Sequence, residues 1–337
     1  MTETIQDVFG NPFVILGVKL GVLLILLPAT LVLGYVELKL GAHMQARMGP
    51  MYPGAFHGWA QTLADGIKFV TKEDIIPRAA DRTVFSLVPY MTMLGAALAF
   101  VVIPITPNAI IEDLEVGLFF ALAASSIGVI GVLMAGWASA NKYSLMGALR
   151  AAAQLIAYEL PLVLAASAVA LQAGSLSMVD IVEAQRPFYL FNWPQMISFG
   201  IFLVAMNAEL TRPPFDMPVA EAEIITGAFT EYSGIRFAFG LFAAEYISFI
   251  AFAAIAATLF MGGYLPPFPI AALDVVWLQP LWFLLKTSSV IFLLIWIRWT
   301  FPRLREDQLQ KFAWKVLIPV SLVNIFIVAG LKLTPLM

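Results

Sequence analysis

Six acids crowd into residues 207–245: Glu209, Asp216, Glu221, Glu223 and Glu231 lie between two apolar runs, and Glu245 lies inside the second run. A charged side chain at a bilayer centre costs roughly 2.5–3.5 kcal/mol on insertion scales, so acids in such places face a bundle interior or a wet cavity, form pairs, or carry protons. Pro213, Pro214 and Pro218 forbid a continuous helix here, because each removes an amide donor and disfavours helical geometry before it. The resulting turn can set Glu209 and Asp216 on either side of Arg212, with a helix restarting after Pro218. On that helix Glu221 and Glu223 point to different faces. Glu223, Glu231 and Glu245 cannot share one stripe without a bend or partners from other spans. A structural ion-pair cluster is the plainer alternative to a proton route. Glu159, Lys19 and Lys286 also lie inside or near the ends of apolar runs. Low polarity favours the neutral form of an acid, which makes Glu159 and Glu245 candidate proton carriers. Lys19 can snorkel outward or pair, and a structural role suits it better; Lys286 is more central.

Other chemistries are closed to these residues. With no Cys, the chain holds no disulfide, iron–sulfur cluster or thiolate zinc site of its own. Its two histidines, His43 and His57, share one loop, so they cannot clamp a haem between facing spans, and no nucleophile stands beside them. No Gly-rich loop suggests nucleotide binding, and nothing points to nucleic acid. Any electrons it handles must come from a partner.

The elements that must position these groups are membrane helices. Hydrophobic residues make up 61% of the 337, charged residues 12%, and the mean hydropathy is +0.88, far too apolar for a soluble surface. The expected fold is all-α and polytopic, with about eight spans near 13–36, 85–105, 115–139, 155–172, 192–207, 236–262, 278–298 and 312–333. A single transmembrane domain over 1–337 is expected, with loops at about 37–84, 140–154, 207–235 and 299–311. Those loops and the residues that flank them hold fifteen Lys and Arg, against two (Arg186 and Lys332) on the other side. By the positive-inside rule the loops face the cytoplasm and both termini face outward, the arrangement expected in a bacterial inner membrane. Residues 1–12 carry Glu3 and Asp7 but no Lys or Arg, so no cleavable targeting segment is expected.

The first loop is too long to be featureless. Phe56, Trp59, Leu63, Ile67 and Val70 recur at helical spacing, while Gln61, Asp65, Lys68 and Lys72 take other faces. This predicts an amphipathic helix lying in the interface plane. Its mixture of charge, aromatic groups and turns suits a docking surface for a soluble partner better than a merely solvated loop.

The ordered motifs resemble a known family along essentially the whole chain. They run from Glu37-x-Lys39 and Gln45-x-Arg47-x-Gly49-Pro50 through Ala64-Asp65-Gly66-Ile67-Lys68, Gly136-Trp137-Ala138-Ser139 and Leu149-Arg150-Ala151-Ala152-Ala153-Gln154 to Tyr158-Glu159. Ala208-Glu209, Arg212, Pro214-Phe215-Asp216, Glu231-Tyr232-Ser233-Gly234, Ala244-Glu245-Tyr246, Arg298, Pro302-Arg303 and Asp307-Gln308-Leu309 complete the set. The family is that of the membrane-embedded H subunit (subunit 1) of complex I, the proton-translocating NADH-quinone oxidoreductase. The resemblance implies a quinone chamber shared with two soluble subunits, one carrying the terminal iron–sulfur cluster, with Arg47, Asp65, Lys68, Arg212, Phe215 and Asp216 lining or shaping it. It implies a proton pathway along Glu159, Glu209, Glu221, Glu223, Glu231 and Glu245 toward small and antiporter-like membrane subunits. Quinone would be the substrate, FMN and iron–sulfur clusters would sit in partner subunits, and this chain would supply no catalytic residue.

The chain departs from the family pattern at several places. Leu38 stands where Arg is frequent, Val219 where Glu is usual, Leu210-Thr211 where Thr-Asn or similar precedes the Arg, and Ser125-Ser126 where some relatives carry an acid on the third span. The nearest rival is the membrane subunit of energy-converting hydrogenases or related ferredoxin- or coenzyme-linked complexes. Pro214-Phe215-Asp216 and the complete first loop favour the quinone-linked branch. A secondary transporter would show paired broken spans, and a mere anchor would not carry intramembrane acids.

Overall fold

In hydrocarbon every backbone N–H and C=O must find a partner, and an apolar segment that must do so within itself has only the helix. A computed structural model describes residues 12–186, 193–218, 224–268 and 273–333, without the side chains of residues 12–16, 18–20, 22–23 and 193–194. Glu221, Glu223 and the Lys19 side chain lie outside what is described. The principal helices are α1 Pro12–Met44, α2 Gln61–Thr71, α3 Arg82–Leu98, α4 Gly117–Ala138, α5 Lys142–Ala173, α6 Met178–Ala184, α7 Trp193–Glu209, α8 Gly234–Phe260, α9 Gln279–Thr300 and α10 Glu306–Leu333. Seven of these are long and apolar enough to cross a bilayer among the described residues, and α7 is a shorter apolar helix. The expectation of about eight spans plus an amphipathic helix in the first loop is met.

Local chemistry sets the helix ends. The Asp81 carboxylate accepts from the amides of Thr83 and Val84 at the start of α3, and Asn141 Oδ1 accepts from Tyr143 N at the start of α5. Gly174, at φ +80°, closes α5 in the left-handed conformation that an L side chain resists. The Asn141 cap and the Ala-rich run after it explain one departure from expectation. Residues 142–154, predicted as loop, are the opening turns of a 32-residue helix, about 48 Å long at 1.5 Å per residue and so longer than a ~30 Å hydrocarbon core. Pro161 sits inside it without ending it.

α5 and α8 are among the most buried spans and organise the bundle. α5 packs against α4, α7 and α10, while α8 packs against α9, α3 and α7. Small residues allow close approach: a Cβ added to Gly147 on α5 would lie 2.6 Å from the Gly227 Cα, so residues 224–230 lie directly on that helix. Two helices contain a π segment, Ala238–Ala243 in α8 and Ala313–Leu317 in α10.

The other end of the bundle is clasped separately. Arg186 pairs with Glu183 at 2.9 Å and Asp274 at 2.7 Å, and Tyr264 Oη donates to Glu183. Gln185 bonds Thr258 O and Gly262 N. Buried Lys286 donates to Leu265 O at 2.6 Å, which gives this side chain a structural contact.

Candidate functional site: a charged cavity beside the broken segment after α7

α7 stops at Glu209 because prolines follow, and the chain folds into a compact knot. Arg212 N donates to Asn207 O and Phe215 N to Arg212 O. Thr211 takes φ +50°, and the Pro213-Pro214 bond is cis. α5 holds both ends: Gln154 Nε2 donates to Ala208 O at 2.7 Å and to Phe215 O at 2.6 Å. One turn on, Tyr158 Oη donates to Leu309 O at 2.9 Å, and its ring meets Phe215 edge-on. Leu304 N completes the tie by donating to Pro214 O.

The knot drives Arg212 into the bundle, where it is 1% exposed. Its guanidinium meets Glu37 of α1 and Glu245 of α8, each at 3.0 Å, and lies 4.0 Å from the centroid of the Phe249 ring. Arg298 of α9 closes on the same Glu37 oxygen. Two acids and two arginines from four parts of the chain thus form one cluster, with Glu37 and Arg212 buried and Glu245 and Arg298 partly exposed, which neutralises charges that could not be buried singly. The π segment ends immediately before Ala244. Its wider turn supplies the register shift that a regular helix lacks, and such turns recur at functional sites.

Sequence reasoning allows Glu209 and Asp216 to stand on either side of Arg212, and in the structure all three line one cavity. Asp216 is held by Arg303 at 2.6 Å, because the Leu304 tie to Pro214 brings residues 303–304 against it. Glu209 remains on the last turn of α7 and makes no ion pair with Arg212; its Oε2 is buried without a hydrogen-bond partner.

A cavity of about 450 Å³ joins these groups: Glu209, Arg212, Asp216, Glu245, Arg298 and Arg303 all line it. It continues between α3, α4 and α5 past Thr92 and Ser125. Four of the predicted residues are therefore brought together, two from the quinone set and two from the proton set. The other described ones stand apart. Phe215 is buried beneath the knot. Glu159 lies close enough to Glu209 for their charges to interact, outside the cavity lining. Glu231 accepts from Asn141 Nδ2 at 2.6 Å. Arg47 is exposed beside Gln45. Asp65 and Lys68 pair at 3.2 Å on α2, whose apolar residues Leu63, Ile67 and Val70 are exposed, as are Phe56 and Trp59 just before it.

Sequence reasoning misses Glu37, Arg298, Arg303 and Gln154 as site residues. Glu37 carries a usable signal, since an acid inside the apolar stretch Leu24–Met44 needs a cation. The arginines enter only as topology charges and as motif residues of the family, and no spacing links residue 37 to residues 212 and 298.

Residues 18–329 match the family described as NADH dehydrogenase. The chain is 47% identical over 308 residues to the H subunit of NADH-quinone oxidoreductase from Bacillus cereus (strain B4264), from Bacillus mycoides (strain KBAB4) and from Bacillus thuringiensis (strain Al Hakam). Each match covers 89% of this chain and 90% of the relative.

Proposed function

The chain belongs to the NADH dehydrogenase family as an H subunit of NADH-quinone oxidoreductase, and from that premise we propose that it forms the membrane side of a quinone chamber and couples quinone reduction to proton movement. It is an integral membrane protein and one subunit of an oxidoreductase complex. In this reading the soluble partners bring electrons and the groups that reduce the quinone head, and this chain binds, orients and couples. The observation that carries the proposal is the shared cavity, in which Arg212 and Asp216 stand within one lining with Glu209 and Glu245.

Reduction of a quinone to a quinol takes up two electrons and two protons. While the electrons have arrived and the protons have not, negative charge builds on the ring oxygens. Negative charge near Arg212 and Arg303 competes with Glu37, Glu245 and Asp216 for the guanidinium groups. A carboxylate that loses its cation gains affinity for a proton, so Glu245 takes one up and releases it when the quinol leaves. Glu209, with its unpartnered buried oxygen, and Glu159 continue the acid series. Arg47, Asp65, Lys68 and Phe215 shape the outer chamber, and Glu221, Glu223 and Glu231 extend the route toward neighbouring antiporter-like subunits. The four Lys- and Arg-rich loops face the cytoplasm in this reading, with both termini opposite.

The test is to purify the tagged chain with its partners and assay inhibitor-sensitive quinone reduction and hydrogen evolution, with NADH and reduced ferredoxin as donors. Quinone reduction that falls at least tenfold in Arg212→Met is expected. Hydrogen evolution without quinone reduction would overturn the proposal and move the chain to the hydrogenase branch.

A further inference from the structure

The knot after α7 is short of hydrogen-bond donors. The last carbonyls of any helix have no intrahelical partner, and here Pro213, Pro214 and Pro218 remove three amides from the stretch that follows. Buried carbonyls left unmatched are costly, so donors must come from elsewhere. Phe215 O receives one from Gln154 Nε2 at 2.6 Å, and the same nitrogen donates at 2.7 Å to Ala208 O, to which Thr211 N also donates at 3.1 Å. Gln154 is fully buried.

Its other end gives the purpose away. Gln154 Oε1 is buried with no hydrogen-bond partner among the described residues, so the residue's ties to the knot are those of its N–H groups. A leucine would fill similar space without leaving an acceptor unmet. A lysine would bring a charge that must be neutralised. A neutral amide offers two donors from one atom, which suits two carbonyls on either side of the turn. Between those two tied points hang Arg212, which reaches the cluster, and the start of the turn that sends Asp216 to Arg303.

We infer that Gln154 is a positioning residue for quinone: its amide fixes the 208–215 knot so that Arg212 and Asp216 face the cavity in binding geometry. The inference rests on the quinone reading above. Tyr158, on the same face of α5 four residues later, assists by holding Leu309 O and the Phe215 ring.

The experiment uses the assembled complex carrying Gln154→Leu or Gln154→Glu and follows inhibitor-sensitive reduction of a short-tailed benzoquinone and a short-tailed naphthoquinone. In Gln154→Leu, with the amount of complex and kcat held within about twofold of the parent, KM for quinone should rise about tenfold, the loss expected for one or two buried hydrogen bonds. Gln154→Glu places a carboxylate against two carbonyls, and protonation returns one donor. Its KM, divided by the parent's at each pH, should therefore be highest at high pH and fall as the pH is lowered. A residue needed only for folding would change the yield of complex and leave KM and its pH profile untouched; that result, or failure of both variants to assemble, overturns the inference. If the parent complex reduces no quinone, the functional reading fails instead, and the two failures are thereby distinguished.

Discussion

A guanidinium as deeply buried as Arg212 must have its charge balanced nearby, and Glu37, Glu245 and the Phe249 face supply that. Removing one partner from such a cluster typically costs ~3–5 kcal/mol, because the survivors stay buried and unbalanced. Glu37→Gln should accordingly reduce both the yield of intact complex and quinone reduction by at least tenfold, as measured by co-purification and steady-state assay. Arg212→Lys should fare little better, since an ammonium cannot reproduce the fork that spans two carboxylates. At this scale the site is half legible in the residues alone. Arg212, Asp216, Glu209 and Glu245 stand out as charges out of place, but which acid meets which cation depends on long-range packing. Glu37 and Arg298 stand 261 positions apart, and no local pattern encodes that pairing.

Elements are read more easily than pairs, because hydrophobic length and capping are local properties. The spans, the amphipathic α2 and the break at Pro213 all follow from residue type. The extra turns of α5 do not, because Lys142 and Arg150 suggest a loop where Asn141 in fact caps a helix. The π segment in α8 is foreseeable only as a need for some bend. Two predictions belong here. Gly147→Val should force residues 224–230 off α5, since even a Cβ would sit 2.6 Å from Gly227; we expect reduced assembly, read by the stoichiometry of co-purified partners. At the opposite end, burial pushes the Glu183 carboxyl up, but the Arg186 and Tyr264 hydrogen bonds and the Arg186 charge outweigh it, so Glu183 titrates below the usual carboxylate range. Its folded value being the lower, its contribution to stability is complete above about pH 4.5 and disappears as the pH falls through the folded value. Hydrogen-exchange protection in residues 261–268, taken relative to the intrinsic rate at each pH, should therefore fall in acid, and Glu183→Gln should show the lower protection already at neutral pH with less further change.

At the scale of the whole molecule, the bundle brings Arg212, Arg298 and Arg303 together with Glu209, Asp216 and Glu245 at one cavity. The family is legible in the ordered motifs from Glu37 to Leu309, and 47% identity to the Bacillus relatives supports it. The cavity itself is not legible there, because it arises where α3, α4, α5 and α8 fail to fill space around the broken segment. The proposal of coupling depends on that shared space. The most direct test is the number of protons moved per quinone reduced, measured in proteoliposomes for the complex and for Glu245→Gln. Coupling through Arg212 and Glu245 predicts that the variant still reduces quinone but moves fewer protons per quinone. An unchanged ratio would contradict it.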